Sequence, residues 1–556
     1  MAETAYTVLA LLPVLAFLLY QVLWQYRFKK YAHIPMSMKP NLFIGHLGSM
    51  AAGFKKFGDS RVHPDYIMED IWIENGRPEY LYLDFRPVQH PILLVASHEV
   101  AEQFTRTTKS HPYSTAKSPT LQGEFGALMG KHSILTERGE NWKALRKQFN
   151  AGFAPQHILT MLPLIIDKTK IFMEKMDAVA RSGVPTRMDR FCVNFTFDII
   201  GQVVTNVDSH AQDEALAHKN DFLRNFRLLS ETYISGSGVG LEAINPWKQF
   251  WRYYYSRRMD AALFKIIRDK FDMIQQFRGT GTQQTKDRSV LALAIQDVEQ
   301  LTPKISQVIA DQCKTFLFAG HDTTSILLQR LFYALSIHPF CLAKIRAEHD
   351  SIFGSRDPEE VLLAKPEETM QALVYTSACM KEALRLWPPA ATVRMTHEDF
   401  TIKTKEGDQV MVDDCVVYPM QYIIHRDTNV YGPTANDFIP ERWIGDSDTS
   451  SATNIDTSGT ATPTDRIPVS AWRPFERGPR NCIGQELANL EARVILACVM
   501  RRYDFTKVGV GEVWKDENGQ PVVDDKGKYK TKSELISTMS VTSKPIDGTR
   551  MTVKLR

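Results

Sequence analysis

The chain lacks the features that would point to several common classes. Lysine and arginine total 67 against 64 for aspartate and glutamate, a net charge of only +3, which argues against a nucleic acid or other polyanion as the main partner. No C-x-x-C pair occurs. The seven cysteines (Cys192, Cys313, Cys341, Cys379, Cys415, Cys482, Cys498) are odd in number and scattered, which suits a reducing compartment and excludes a disulfide framework. No flavin or dinucleotide module is visible. The one glycine triplet, Gly236, Gly238 and Gly240, has no strand before it and no phosphate-facing helix after it, so it reads as a flexible lid connection. What the chain does have is core-forming material, with 44% hydrophobic and 10% aromatic residues over 556 positions. Length alone allows three or four domains at ~150 residues each, so the motifs must decide.

Residues 5–24 are almost wholly apolar, about the 20 residues that a helix needs to cross the hydrocarbon. Glu3 is the one charge before this run, whereas Arg27, Lys29 and Lys30 follow it. The positive-inside rule then puts the remainder on the cytosolic side. The run is too long for a signal peptide and no small-x-small cleavage site follows, so residues 1–26 are expected to be a membrane anchor. Residues 27–48, with Ile34-Pro35 and Lys39-Pro40, are expected to form a stiff basic and proline-containing hinge. Asn194-Phe195-Thr196 is a glycosylation sequon that cytosolic topology would leave unused.

The chemistry concentrates in residues 475–484, FERGPRNCIG. Gly478, Pro479 and Gly484 break this segment into a rigid loop, which holds Cys482 just before a helix expected over 485–503. Unpaired N–H groups at a helix start favour a thiolate there. The glycines allow tight turns and close approach of a flat cofactor. Phe475 can pack on the sulfur side of such a ring and Arg480 can reach an acidic edge. In isolation, Cys482 could equally be a structural thiol. Phe475, Gly478, Arg480, Cys482 and Gly484 together resemble the haem-binding signature of the cytochrome P450 family, the haem-thiolate monooxygenases. The resemblance implies that Cys482 is the axial ligand of a haem b iron, where the thiolate's electron density favours O–O cleavage.

Other motifs follow in that family's order. Thr302-Pro303 is a good helix start, and the run to about His338 is apolar on most faces across 315–334, as a helix through a large core should be. Gly320, Asp322 and Thr323 are out of place in such a helix, since a buried carboxylate and an interior glycine both cost stability. A threonine bonded back to its own helix accounts for part of this. Ala319-Gly320-His321-Asp322-Thr323 resembles the family's oxygen-activation motif. The resemblance implies that Ala319 and Gly320 leave room for dioxygen, that Thr323 hydrogen-bonds the iron-bound peroxo group, and that Asp322 passes protons from solvent. Glu382 and Arg385 lie at i, i+3 on a helix ending before Pro388-Pro389. With Arg442 in Pro440-Glu441-Arg442-Trp443 they resemble the family's structural Glu-Arg-Arg network. Trp142 and Arg146 share a helix face and, like Arg394 further on, are implied partners of the haem propionates.

Between these motifs, residues 80–95 read as two strands followed by a helix from His98 to about Thr105, and residues 109–136 as a long loop over the cofactor. Helical patterns dominate 155–278. Residues 390–393 read as a substrate-side strand, 514–532 as a surface hairpin and 539–556 as a terminal hairpin. Residues 446–467 form a polar low-complexity insertion.

The expected architecture is thus a mainly α domain with a small β region over 49–556, tethered by an N-terminal transmembrane helix. The implied activity is insertion of one oxygen atom from dioxygen into a hydrophobic small molecule, in the manner of fungal secondary-metabolite tailoring of polyketides, terpenoids or alkaloids. Electrons would come from NADPH through a separate cytochrome P450 reductase, with cytochrome b5 as a further partner, at the endoplasmic reticulum membrane. Lys143, Lys147, Arg473 and Arg477 are candidates for a basic docking patch. Two alternatives stand beside this: a haem-thiolate isomerase or dehydratase, which would need Cys482 without Asp322 and Thr323, and a membrane-tethered interaction protein without catalysis.

Overall fold

A computed structural model describes residues 2–36, 40–233, 245–279, 287–396, 400–445 and 467–556. The glycine triplet and the low-complexity stretch to residue 466 lie outside these. The architecture is mainly helical with a small β region. An apolar helix, Ala2–Arg27, leads in, and Leu11, Leu15, Phe17 and Leu19 on it are exposed, as side chains meant for lipid would be. Arg27 at its end is buried and ion-paired with Asp84 at 3.1 Å, which also takes Arg86 at 2.9 Å. The segment after it packs onto the body: Phe28, Tyr31 and Ile34 are buried, and Tyr31 stacks on Tyr82 with centroids 4.5 Å apart.

One sheet has five strands in the order Tyr80–Leu83, Ile92–Val95, Val416–Pro419, Arg394–Met395 and Ala116–Lys117. The pairing of Ile92 with Val416 is parallel and the others are antiparallel. Both faces of the inner strands are buried, so they read as continuous apolar runs. The helix expected after this pair is His98–Thr105, capped by Ser97.

The core is threaded by a central helix, Pro303–Ile337, whose cap Thr302 accepts from the Ile305 N–H at 3.2 Å. Most of its residues from Ile309 onward are buried. It packs against Met188–Thr205, and Phe316 sits edge-on to Phe149 of the helix Gly139–Asn150 at 5.2 Å. This packs the Trp142 helix against the central helix.

Three expectations change. The stretch expected as a loop over 109–136 contains the helix Pro119–Met129, whose signal was Ser118 at the cap followed by proline at the first position. Residues 390–393 belong to no strand, although Val393 O accepts from the Ser118 N–H at 3.3 Å, and the strand is Arg394–Met395. The helix after Cys482 ends at Val499, and Tyr503 opens the strand Tyr503–Lys507. Residues 514–532 form the expected hairpin-like excursion, with bridges Lys515 to Pro521 and Val523 to Tyr529.

Candidate functional site

Cys482 sits on a loop fixed by its own backbone. Its N–H donates to Phe475 O at 2.8 Å, and the Asn481 N–H donates to Gly478 O at 3.1 Å. Gly478 has φ +73°, and a Cβ there would lie 2.0 Å from Thr105 O, so no other residue fits without moving the loop. Gly484 has an ordinary φ of −88° and caps the helix Gln485–Val499 with no side chain in the way. A Cβ on it would lie 3.9 Å from the Cys482 sulfur. Gly484 thus leaves space beside the sulfur, and Gly478 makes the turn.

The Cys482 side chain is accessible, yet burial is the largest influence on its thiol, so it faces an interior cleft. Burial pushes the thiol up, against the Gly484 N–H, Arg146 and Lys117, which pull it down.

Cations crowd the same cleft. Arg480 stacks over the Trp142 ring at 4.6 Å and donates to Glu137 O at 2.8 Å, with its Nε unpaired. Burial, with Arg394 and Arg138 nearby, drags its guanidinium down to about 9. Arg394 is fully buried, donates to Thr115 O at 3.0 Å and meets Glu476 at 3.4 Å, again with Nε unpaired. Lys117, which sequence reasoning missed, is buried on the neighbouring strand against Thr392. Burial and then the Arg394 charge push its ammonium well below the ordinary value. Mutually repelling cations with unpaired N–H groups are the donor set for a ligand with an acidic edge. Haem fits this set: a thiolate for the iron, and Trp142, Arg480, Arg394 and Lys117 for its carboxylates.

Arg146 does something else. Both its terminal nitrogens hold Asn481, at 2.7 Å to the carbonyl and 2.9 Å to Oδ1, so it clamps the cysteine loop. The docking patch also shrinks. Arg473 is fully buried and paired with Glu476 at 2.8 Å, and Arg477 pairs with Glu102 at 2.9 Å, leaving Lys143 and Lys147 as the exposed cations.

On the central helix, Thr323 donates to Ala319 O at 2.8 Å and Ser325 to Asp322 O at 2.7 Å, while Thr196 from the neighbouring helix reaches His321 O at 2.6 Å. Hydroxyls competing for helix carbonyls loosen it locally. Asp322 is buried. Its two oxygens meet the Thr542 hydroxyl and Lys544 Nζ, the latter at 2.8 Å. Burial alone would raise its carboxyl, but Lys544 and then His321 outweigh burial and hold it below the usual range.

Gly320 has a packing task. A Cβ there would lie 2.6 Å from Ile200 Cγ1, so its bareness lets Met188–Thr205 approach. Gly320→Ala should therefore destabilise. Overpacking costs about 1–3 kcal/mol against a gain of about 1 kcal/mol in helix propensity. Thermal unfolding should show a net loss of about 1 kcal/mol, and a raised midpoint would contradict the packing role.

Glu382, Arg385 and Arg442 come together in the core beneath the cysteine loop. Glu382 receives five donors: Arg385 Nε and Nη2, Arg442 Nε, Trp443 Nε1 and the Ile439 N–H, all within 2.7–2.9 Å. Arg385 passes its remaining hydrogens to His425 O, Ala435 O and Asp437 O.

A largely apolar cavity of about 480 Å³ opens between the sheet, the helix Pro119–Met129 and the terminal hairpin, with Phe54, Phe85, Phe125, Ala390, Val393 and Val541 in its wall.

Comparison with known proteins matches this arrangement. A family model described as Cytochrome P450 matches residues 81–532. Cytochrome P450 monooxygenase acrF of Aspergillus aculeatus is 32% identical, over 76% of this chain and 83% of its own length. Cytochrome P450 monooxygenase polC of Polytolypa hystricis is 28% identical over 84% and 81%. In fold, the chain is similar to the crystal structure of the cytochrome P450DA heme domain, with a TM-score of 0.67 and 19% identity over 94% of this chain and 97% of that one.

Proposed function

Because this chain belongs to the cytochrome P450 family and is a haem-thiolate monooxygenase, we propose that Cys482 ligates the haem iron, that Trp142, Arg480, Arg394 and Lys117 hold the haem carboxylates, and that Asp322 and Thr323 manage protons on the opposite face. The observation that carries this is the pairing of one interior-facing thiol with a cluster of buried, under-partnered cations. Bound haem supplies dioxygen activation.

The chain's own residues supply the rest. Arg146 and the Phe475 carbonyl keep the sulfur in place. Asp322 carries its charge toward Thr542 and Lys544, and the next residue, Thr323, carries a hydroxyl that bonds Ala319 O, so an acid and an alcohol occupy successive positions of the central helix. The apolar cavity excludes water and admits a bulky hydrophobic molecule.

The substrate is proposed to be a hydrophobic secondary metabolite, a reading supported by two fungal relatives named as monooxygenases. Electrons are proposed to arrive from NADPH through a separate reductase, with cytochrome b5 as an additional donor and Lys143 and Lys147 at the docking face. The apolar lead helix with Lys29 and Lys30 beyond it supports a single-pass anchor in the endoplasmic reticulum with the body in the cytosol. Residues 27–48 are proposed as the hinge and 49–556 as one catalytic domain.

The test is turnover of a hydrophobic probe with reductase, NADPH and labelled dioxygen, which should place one labelled atom in product. With Thr323→Val, NADPH consumption should continue while labelled product falls about tenfold or more and peroxide rises. Unchanged product would remove Thr323 from the proton path.

A further inference from the structure

The acid of the central helix is held by a part of the chain more than two hundred residues away, and that part also walls the substrate cavity. Strands Ser537–Ser540 and Thr542–Pro545 form an antiparallel hairpin, with Met539 opposite Ser543 and Ser540 opposite Thr542. It lies along the central helix and is fastened to it twice. At its base, Arg330 donates to Leu535 O and to the Ser537 hydroxyl, both at 2.6 Å. Thr542, beside the tip, and Lys544, opposite Thr538, take the two oxygens of Asp322. Asp322 and Arg330 are eight residues apart on one helix, about 12 Å along its axis, so the hairpin spans a fixed base and a second attachment at the acid. Between the strands stands Val541, a β-branched residue at φ +66°, a conformation such residues rarely adopt. Met539, Val541, Thr542 and Ser543 all line the cavity.

We propose that Thr542 and Lys544 are positioning residues for Asp322, and that the hairpin they belong to transmits the filling of the cavity at Val541 to that carboxylate. This rests on the proton-handling role proposed above. Lys544 acts as a latch and not as the proton donor, because an ammonium is a far weaker acid than a carboxylic acid. Its side chain is 30% exposed while that of Asp322 is 3% exposed, so the latch opens toward solvent. Alternation along the strand puts 542 and 544 on the helix side together, so a shift of the strand Thr542–Pro545 loads both contacts at once.

The test uses the full haem-loaded chain and two azole probes, the small 4-phenylimidazole and the bulky triaryl clotrimazole, read by amide hydrogen exchange. In the wild type, clotrimazole should change exchange in residues 537–545 and 319–325 together by about threefold or more, and 4-phenylimidazole should not. In Lys544→Met combined with Thr542→Val, the hairpin should still respond and 319–325 should not. Lys544→Arg should restore the joint response. If clotrimazole binds and the two segments respond independently in the wild type, or the double variant retains the joint response, the proposal is overturned. If neither azole shifts the haem absorption, the haem assignment fails instead, and the two failures are thereby distinguishable. Without any probe, Asp322→Asn should speed exchange across 537–545, and unchanged exchange there would also count against the latch.

Discussion

Replacing Cys482 by serine should abolish monooxygenation, with labelled product falling by at least about three orders of magnitude, or about 4 kcal/mol of transition-state stabilisation. Serine is close in size, and the loop's fixing bonds, the Cys482 N–H to Phe475 O and Arg146 to Asn481, run through the backbone and other side chains. The fold should therefore survive, with the unfolding midpoint of the haem-free protein moving by the equivalent of about 1 kcal/mol or less. The loss is chemical: a hydroxyl stays neutral where a thiolate would form, and the cations around the cleft do not change that. Cys482→His makes the complementary case, since imidazole also binds iron. It should retain haem, lose the thiolate spectrum and remain inactive. Product formation by the serine variant at even a tenth of the wild-type rate would mean that another group ligates the iron.

The second large effect is on stability. Glu382→Gln keeps shape but leaves Arg385 and Arg442 without their counter-charge in a site where the Glu382 and Arg385 side chains are both fully buried. Breaking such a pair from one side costs roughly 3–5 kcal/mol, a large share of the 5–15 kcal/mol that a domain typically holds in reserve. The five donors on Glu382 also knit the helix Val374–Leu386 to the segment Pro440–Trp443. The Trp472 indole, on the approach to the cysteine loop, donates to Lys381 O at 3.1 Å. Loosening this knot should release the loop and with it the haem. Thermal unfolding should shift down by about 3–5 °C, at about 1 °C per kcal/mol for a domain of about 500 residues, with added salt making little difference because screening acts weakly on a buried pair. Molecules that remain folded should couple NADPH to product normally. A shift of less than about a degree would mean that the network is relaxed and contributes little.

How much of this was legible in the sequence depends on how far apart the partners lie. The lead helix, the cap at Thr302, the pair Glu382 and Arg385, and the loop around Cys482 are local patterns, and each was readable from spacing alone. Arg442 joins Glu382 from sixty residues downstream, and only a resemblance to other chains could suggest that. The partners of Asp322 were invisible, because nothing in the local pattern of Thr542 and Lys544 points to a carboxylate 220 residues earlier. Lys117 looked like one cation in a loop, and only the five-stranded sheet sets it beside Arg394. The packing neighbour of Gly320, Ile200, was hidden for a similar reason: a bare position in a helix announces a close approach without saying what approaches. The contact of Arg146 with the loop's own Asn481, more than three hundred residues downstream, was hidden in the same way. Charge counting likewise misjudged Arg473, whose side chain is spent on Glu476 inside the body.

The central claim is that the Cys482 sulfur, as an anion, is bonded to haem iron in the cleft lined by Arg480, Arg394 and Lys117. The most direct measurement is the reduced, carbon monoxide-treated difference spectrum of the purified full chain beside its Cys482→His variant. The wild type should give the red-shifted Soret band of a thiolate-ligated haem, and the variant should give the shorter-wavelength band of imidazole ligation. Identical bands from the two proteins, or no band from the wild type, would contradict it.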